Sequence, residues 1–510
     1  MFFKIKINSP VSGILRFLFN LFRYFLLVPK LILFLKKSKK NQSNKKNLTI
    51  FAPIIETSHS VFFLTLILLK ALELRGNKII ILICDQCLIA CEIKNFYNKN
   101  DKLVCTKCKF NSNKIVKLFN FSTLYLSSFI DKEYYEILDK YANVQPDDIV
   151  NVDNRDVSQT IKDSIIRYYY GAFNNNKDEY KKIFKQNLNT LLLMNKISKD
   201  VDSKYNINIA LGFMTAYTSW APFFNYFSKN GDRFRHLSLN QFNLRSVTID
   251  SHKLYPAKKR YKSFLKFRNY KELNQKEDIE INNFLNNRFS NNAEIFKKDN
   301  YFDINNKLTD HFNIDKTKRN IFLFSNIYWD VGVTDTGYLY NDVIEWIFKT
   351  IKFVENKNNI NLYIKPHPGE IAEGTFSISG IEKILRNKIP IMPKNIFFIK
   401  PEWKIDTYSI FTYIDLALIY NGTLGLELIW NGINVVTTGK TTHHGLDFAL
   451  EPTDEKKYFN LIINNEKSSI DQRKLKLFLY FYFIKVQYPW TLTSKVYGYS
   501  MSSGFKKKIF

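Results

Sequence analysis

Thr423 and Glu427 lie four residues apart in "YNGTLGLELIWNGINVV", where a glycine turn leads into a short apolar segment that ends at a second glycine. A helix starting after such a turn presents unpaired N–H groups and a partial positive charge, which suits a phosphate. Gly422 permits close approach, and Thr423 and Glu427 share one helix face. A carboxylate near that end can accept two hydroxyls of a ribose or sugar, so the stretch reads as a place for a nucleotide carrying a sugar. The alternative is a solvated glutamate on an exposed face. Upstream, "YIKPHPGE" ends an apolar run with Lys365 and His367 between prolines. Pro366 and Pro368 forbid a helix, so both side chains project from the end of a strand. The loop of "FLFSNIYWDVGVTDTG" adds Asn326, Trp329, Asp330 and Asp335.

All five cysteines fall in "CDQCLIACEIKNFYNKNDKLVCTKC". Two Cys-x-x-Cys pairs at this separation resemble a structural zinc site, with Cys105 and Cys108 as one pair and Cys91 joined by Cys84 or Cys87. Buried free thiols are the alternative.

These groups need elements to hold them. "LTIFAPIIETSHSVFFLTLILLKALELRGNKIIILICD" reads as strand, helix and strand, with Gly76 as the helix stop. Its first loop carries Glu56, Ser58 and His59 at the carboxyl end of the first strand, where open α/β sheets place ligands. His59 is a candidate catalytic residue there, or a bystander near a helix cap. Residues 48–250 form one doubly wound unit with a helical insertion, in which "DVSQTIKDSIIRYYYGAF" is a helix closing near Gly171. Residues 251–315 lack sustained periodicity and read as a linker with local helices. A second alternation of strands and helices fills 316–470, and 471–510 reads as a helical tail.

At 510 residues the chain is long enough for two cores, and its 45 Phe and 30 Tyr can fill them. The formal charge of +28 is spread among many Asn and Ile, and no basic-aromatic motif of a nucleic-acid binder stands out. The charge fits an anionic membrane surface or a phosphate-bearing ligand. Residues 1–47 hold "GILRFLFNLFRYFLLVPKLILFLKKSKK", in which Arg16, Asn20, Arg23, Lys30 and Lys37 form one helical stripe. That is the pattern of an amphipathic helix lying in a membrane interface, with a spanning helix as the alternative. No small-residue cleavage site follows, which argues against secretion.

The set "FSNIYWD", "YIKPHPGE" and "YNGTLGLELIWNGINVVTTGK…HHGLDFALEPTDEKKYF" resembles the capsule polysaccharide biosynthesis family of bacterial glycosyltransferases. The likeness covers the C-terminal half well and the cysteine-bearing N-terminal half more loosely. It implies a GT-B fold, two Rossmann-like domains facing a cleft, with the nucleotide-sugar donor in the C-terminal domain and a glycan or lipid-linked acceptor in the N-terminal one. It implies a cytoplasmic enzyme, peripheral at the inner face of the cell membrane, needing no metal for transfer. Lys365 and His367 would meet donor phosphates, Gly422 and Thr423 would sit at the helix start, Glu427 would bind donor hydroxyls, and Asn326 and Asp330 would line the cleft. A polyol-phosphate transferase of teichoic-acid type and a non-catalytic glycan-binding scaffold are the rival readings.

Overall fold

Near-continuous apolar strands such as "KIIILI", "RNIFLF" and "INLYIK" are the signature of parallel sheets covered on both faces. The computed structural model describes residues 47–55, 61–95, 102–171, 177–239, 246–250, 257–289, 307–330, 337–371, 377–464, 466, 470–485 and 488–489. The amphipathic stripe from Arg16 to Lys37, the loop with His59, and Asp335 lie outside them. No helix among the described residues is long and apolar enough to cross a membrane.

The first unit runs β1 (Thr49–Ile54), α1 (Val61–Glu73), β2 (Lys78–Ile83), α2 (Lys102–Phe119), β3 (Ser122–Tyr125) and α3 (Lys132–Lys140). A short hairpin, β4 (Asn151–Val152) and β5 (Arg155–Asp156), then leads to α4 (Ser158–Tyr168) and the long α5 (Lys177–Tyr205). Next come β6 (Ile209–Gly212), α6 (Ala221–Lys229), β7 (Phe234–Leu239) and β8 (Ser246–Asp250). Strands β3, β2, β1, β6 and β7 are parallel neighbours in that order, and β8 continues the sheet antiparallel to β7. The order reverses between β1 and β6, the position at which such sheets open a crevice.

Residues 257–289 are more than a linker. They form α7 (Lys258–Phe267) and α8 (Gln275–Phe289), whose Ala257, Tyr261, Ile281 and Leu285 are buried in the core of the second unit. That unit continues with β9 (Arg319–Phe324), α9 (Val343–Val354), β10 (Ile360–Lys365), α10 (Ile381–Lys388) and β11 (Ile396–Phe398). It ends with β12 (Leu416–Ile419), α11 (Leu424–Trp430), β13 (Val435–Thr437) and α12 (Glu455–Ile463). Its five strands are all parallel in the order β11, β10, β9, β12, β13, so the chain reverses its winding between β9 and β12.

The tail is not wholly helical. After α13 (Gln472–Tyr480), the chain makes β14 (Tyr488–Pro489), which pairs with β8 and so returns to the first sheet. Tyr261, Phe478 and Phe481 pack their rings between α7 and α13, with centroids 5.0 and 5.3 Å from that of Tyr261.

The units also meet through the loop after β9. Tyr328 donates its hydroxyl to the carbonyls of Gly171 and Ser379, and Trp329 packs edge-on to Tyr170 under the Arg167 guanidinium. Gly171 stops its helix, as its position implied, at φ +75°, and it also makes this contact possible. A Cβ there would stand 2.1 Å from the Tyr328 hydroxyl oxygen. Gly171→Ala is therefore expected to destabilise the protein by about 1–3 kcal/mol, the usual cost of overpacking, and the drop should shrink in a Tyr328→Ala background, which removes the two nearest atoms. Thermal melting of the single and double variants measures both.

Candidate functional site

The carboxyl ends of β9, β10 and β12 collect most of the candidate residues. Ser325 and Asn326 follow β9, Lys365 ends β10, and Asn421, Gly422 and Thr423 follow β12. With strands roughly 4.8 Å apart, the β10 and β12 ends flank the reversal point at about 10 Å from each other.

Lys365 is 6 % exposed and its ammonium has no ion-pair or hydrogen-bond partner among the described residues. Burial pulls its pKa down to about 8, opposed by the charge of Asp406. A buried cation without a counter-ion is costly, and an anionic ligand would remove the cost. His367, two residues on, is exposed, and desolvation, with the Lys365 charge second, lowers its pKa to about 4. The Gly369 N–H donates to its Nδ1 at 2.9 Å, so the neutral ring carries its proton on Nε2 and offers it as a donor. Glu370 closes the motif. It is buried, accepts from the Ile381 N–H with Oε2, leaves Oε1 without a partner among the described residues, and is pushed up to about 8 by burial.

On the β12 side, Gly422 has φ +118°, a conformation that requires glycine, and Thr423 begins α11 without a side-chain cap. Asn326 does not point its amide at open space. Its Nδ2 donates to the Asn421 carbonyl at 3.0 Å and its Oδ1 accepts the Asn421 N–H at 3.3 Å, so it clamps the two loops across the reversal point. Asp330 is exposed, and its backbone N–H bonds to Ile327.

Glu427 is correctly read from the sequence as buried, at 3 % exposure, but its partners are protein groups. Arg288, from α8, donates Nε to Oε1 at 2.6 Å, and the Tyr408 hydroxyl donates to Oε2 at 2.9 Å. The carboxylate of this structure is thus a buried ion pair joining α8 to α11, in place of an open acceptor for ligand hydroxyls. The Tyr408 N–H in turn donates to Asp406, the acid that acts on Lys365, so one polar network runs from α8 to the end of β10.

Sequence reasoning missed Arg288, Asp406 and Tyr408, which stand far from the motifs in the chain. It also gave no role to the residues of "TTGKTTHHG", residues 437–445, which run on from the end of β13. Thr437, Thr438, Thr441, Thr442 and His443 are all fully buried, and the four hydroxyls and both nitrogens of His443 lack partners among the described residues. A Cβ on Gly425, in the first turn of α11, would meet the His443 ring at 3.3 Å. This loop therefore walls the same turn, and a run of polar residues straight after a buried strand was the available signal.

The cysteines converge only in part. Cys84, Cys91, Cys105 and Cys108 line one small pocket, with Cys105 and Cys108 on α2. Among the described residues, however, no group of three or more His, Cys, Asp or Glu stands close enough to hold a metal ion. Cys84 and Cys87 are free thiols joined by a hydrogen bond, which pulls Cys84 down to about 7, while burial raises Cys91. The four-thiolate cage expected from the spacing is not assembled here. The Asp-x-Asp pair Asp200 and Asp202 is also engaged, by Lys196 and Arg233.

No protein-family model matches the chain, and no curated protein matches it. Similar solved structures include a beta Kdo 2,7 transferase, KpsC, of Thermosulfurimonas dismutans, at 13 % identity over 56 % of this chain and 78 % of that one, with a TM-score of 0.34. Another is the UDP-GlcNAc 2-epimerase of Neisseria meningitidis bound to UDP-GlcNAc, at 10 % identity, 87 % and 99 % coverage and a TM-score of 0.27. The calicheamicin glycosyltransferase CalG4 is similar at 9 % identity, 89 % and 98 % coverage and a TM-score of 0.26.

Two expectations follow from the geometry. Glu427→Leu strands the Arg288 charge and should cost about 3–5 kcal/mol in urea unfolding, whereas Glu427→Leu with Arg288→Met should recover most of it. Thr438→Val and Thr442→Val each remove an unpartnered hydroxyl without changing shape, so each should raise stability by about 1 kcal/mol in the ligand-free protein. Melting temperatures read the sign directly.

Proposed function

We propose that the protein is a glycosyltransferase that moves a sugar from a nucleotide-sugar donor to a surface polysaccharide acceptor, capsular or lipid-linked, at the cytoplasmic face of the membrane. Lys365 carries the reading: a buried cation with no acid in contact, offset only at a distance by Asp406, at the strand end next to the reversal of the sheet, is a site made for an anion. A nucleotide-sugar supplies that anion as its phosphates. The motifs that resemble the capsule polysaccharide biosynthesis family supply the substrate class, and the amphipathic stripe from Arg16 to Lys37 supports the membrane location.

In this reading Lys365 neutralises the donor phosphate, and the Nε2–H of His367 donates to the oxygen on which charge grows as the sugar–phosphate bond breaks. A fixed neutral donor stabilises that charge without first having to lose or gain a proton. Gly422 and Thr423 border the phosphate position on the β12 side. Glu427 acts as a positioning residue, holding α11 and its turn through Arg288 and Tyr408. The acceptor enters from the first unit, where the loop bearing His59 is the place to seek a base. No metal is assigned a role in transfer.

A thermal-shift panel of CMP-, UDP- and GDP-sugars tests the donor class, since a ligand bound only by the folded state raises the melting temperature. No shift with any of them would sink the reading. His367→Ala should lower turnover by roughly a hundredfold with a smaller change in donor affinity. The pH dependence has a definite sign. Lys365 loses its charge as pH rises through about 8, so donor affinity should be steady below that and weaken above it. Lys365→Arg should abolish this decline, because arginine stays charged. Calorimetry between pH 6 and 10 measures the profile. His367, neutral above about pH 4, should add no inflection between pH 5 and 8.

A further inference from the structure

Helix α7 carries its aromatic residues on both faces. Tyr261 is buried and Phe264 half-buried against α13, as an amphipathic helix requires. Phe267, at its end, is instead 89 % exposed, and Tyr270 in the following turn is 67 % exposed. Between Lys258 and Lys271 the chain has seven cationic residues and no acid. Lys262, Lys266 and Lys271 are exposed and form no ion pair with a described acid. Arg268 is engaged by Glu277, at 2.7 and 2.8 Å, so it orders the turn and does not add to the free charge. Of the acids nearby, Glu272 faces Arg473 and Asp278 faces Lys476, while Asp447 and Asp471 lie on the wall of the cavity beside Tyr270. Behind Tyr270 the surface hollows into a cavity of about 950 Å³, partly floored by Leu265, Leu273, Trp430 and Leu477.

We infer that this face is a docking surface for an anionic phospholipid membrane, with Phe267 and Tyr270 entering the interface and Lys262, Lys266 and Lys271 over the lipid phosphates. Charge complementarity selects the occupant. Unpaired lysines around two exposed rings match a negatively charged bilayer, where each cation gains from the surface potential and each ring has an apolar layer to enter. An exposed phenylalanine in water has no such compensation. Because Ala257, the residue that caps α7, donates its N–H to the Thr442 carbonyl, this contact would set the candidate site one helix length from the lipid surface. The inference stands on α7 alone and is independent both of the donor reading and of the N-terminal stripe.

Flotation of the full chain with vesicles of phosphatidylcholine, with and without phosphatidylglycerol, provides the test, together with hydrogen exchange read separately over 1–47 and 258–274. Binding should require the anionic lipid, weaken with salt, and protect 258–274. Lys262→Glu with Lys266→Glu, and separately Phe267→Ser with Tyr270→Ser, should each reduce partitioning by roughly tenfold or more. All four positions are exposed, so circular dichroism should be unchanged. Wild-type partitioning in both variants, with protection confined to 1–47, overturns the docking face and leaves the N-terminal reading standing. Loss in the charge variant alone overturns insertion of the rings. Protection of 258–274 by single-stranded RNA and not by vesicles would assign the face to nucleic acid and overturn the lipid assignment.

Discussion

A carboxylate sealed inside the second unit must be paired, and Glu427 is paired across 139 residues of chain with Arg288. That requirement organises more than one contact. It brings α8 into the core, fixes α11 against it, and so holds the Gly422 turn at the end of β12. Through Tyr408 it also orders the segment that carries Asp406, whose charge acts on Lys365. A buried ion pair is weak evidence for net stability, because desolvation offsets most of its attraction. Its effect here is geometric: it ties α8, α11 and the segment bearing Tyr408 together at one carboxylate.

Around that pair the site divides its labour by strand. The loop after β9 performs two structural tasks, Asn326 clamping the neighbouring turn and Tyr328 with Trp329 joining the two units. The end of β10 and the loop after it supply groups that remain available for a ligand, Lys365 by having no acid in contact and His367 by the proton on its Nε2. Motifs at neighbouring strand ends therefore divide into scaffold and chemistry. Residue type alone does not separate the two, since an asparagine beside a cleft can equally hold backbone or bind a sugar.

The buried threonines and His443 after β13 have the opposite character to the Glu427 network. Their polar atoms are enclosed without partners among the described residues, a costly state concentrated beside the first turn of α11. Local cost at a candidate site and full satisfaction in its supporting network are compatible. The supporting network sets the fold, and the strained wall is where a bound molecule has most to gain.

Much of the local structure was legible from the chain itself. Uninterrupted apolar strands alternating with helices implied buried parallel sheets, the prolines of "KPHPGE" ended β10 where the structure ends it, and glycines 76, 171 and 432 all adopt positive φ at helix ends. These are short-range effects, set by steric limits on each residue and its neighbours. The apolar neighbours of Glu427 also favoured its burial, which the structure bears out against the alternative of a solvated face. What the sequence did not determine is what each buried polar group meets. That Arg288 in an apparent linker would claim Glu427, that Asn326 would bond backbone, that the four cysteines would line a pocket without forming a metal cage, and that the tail would cross back as β14 all depend on contacts between residues remote in the chain. Periodicity and propensity report the environment a residue needs, and only the folded arrangement decides which partner supplies it.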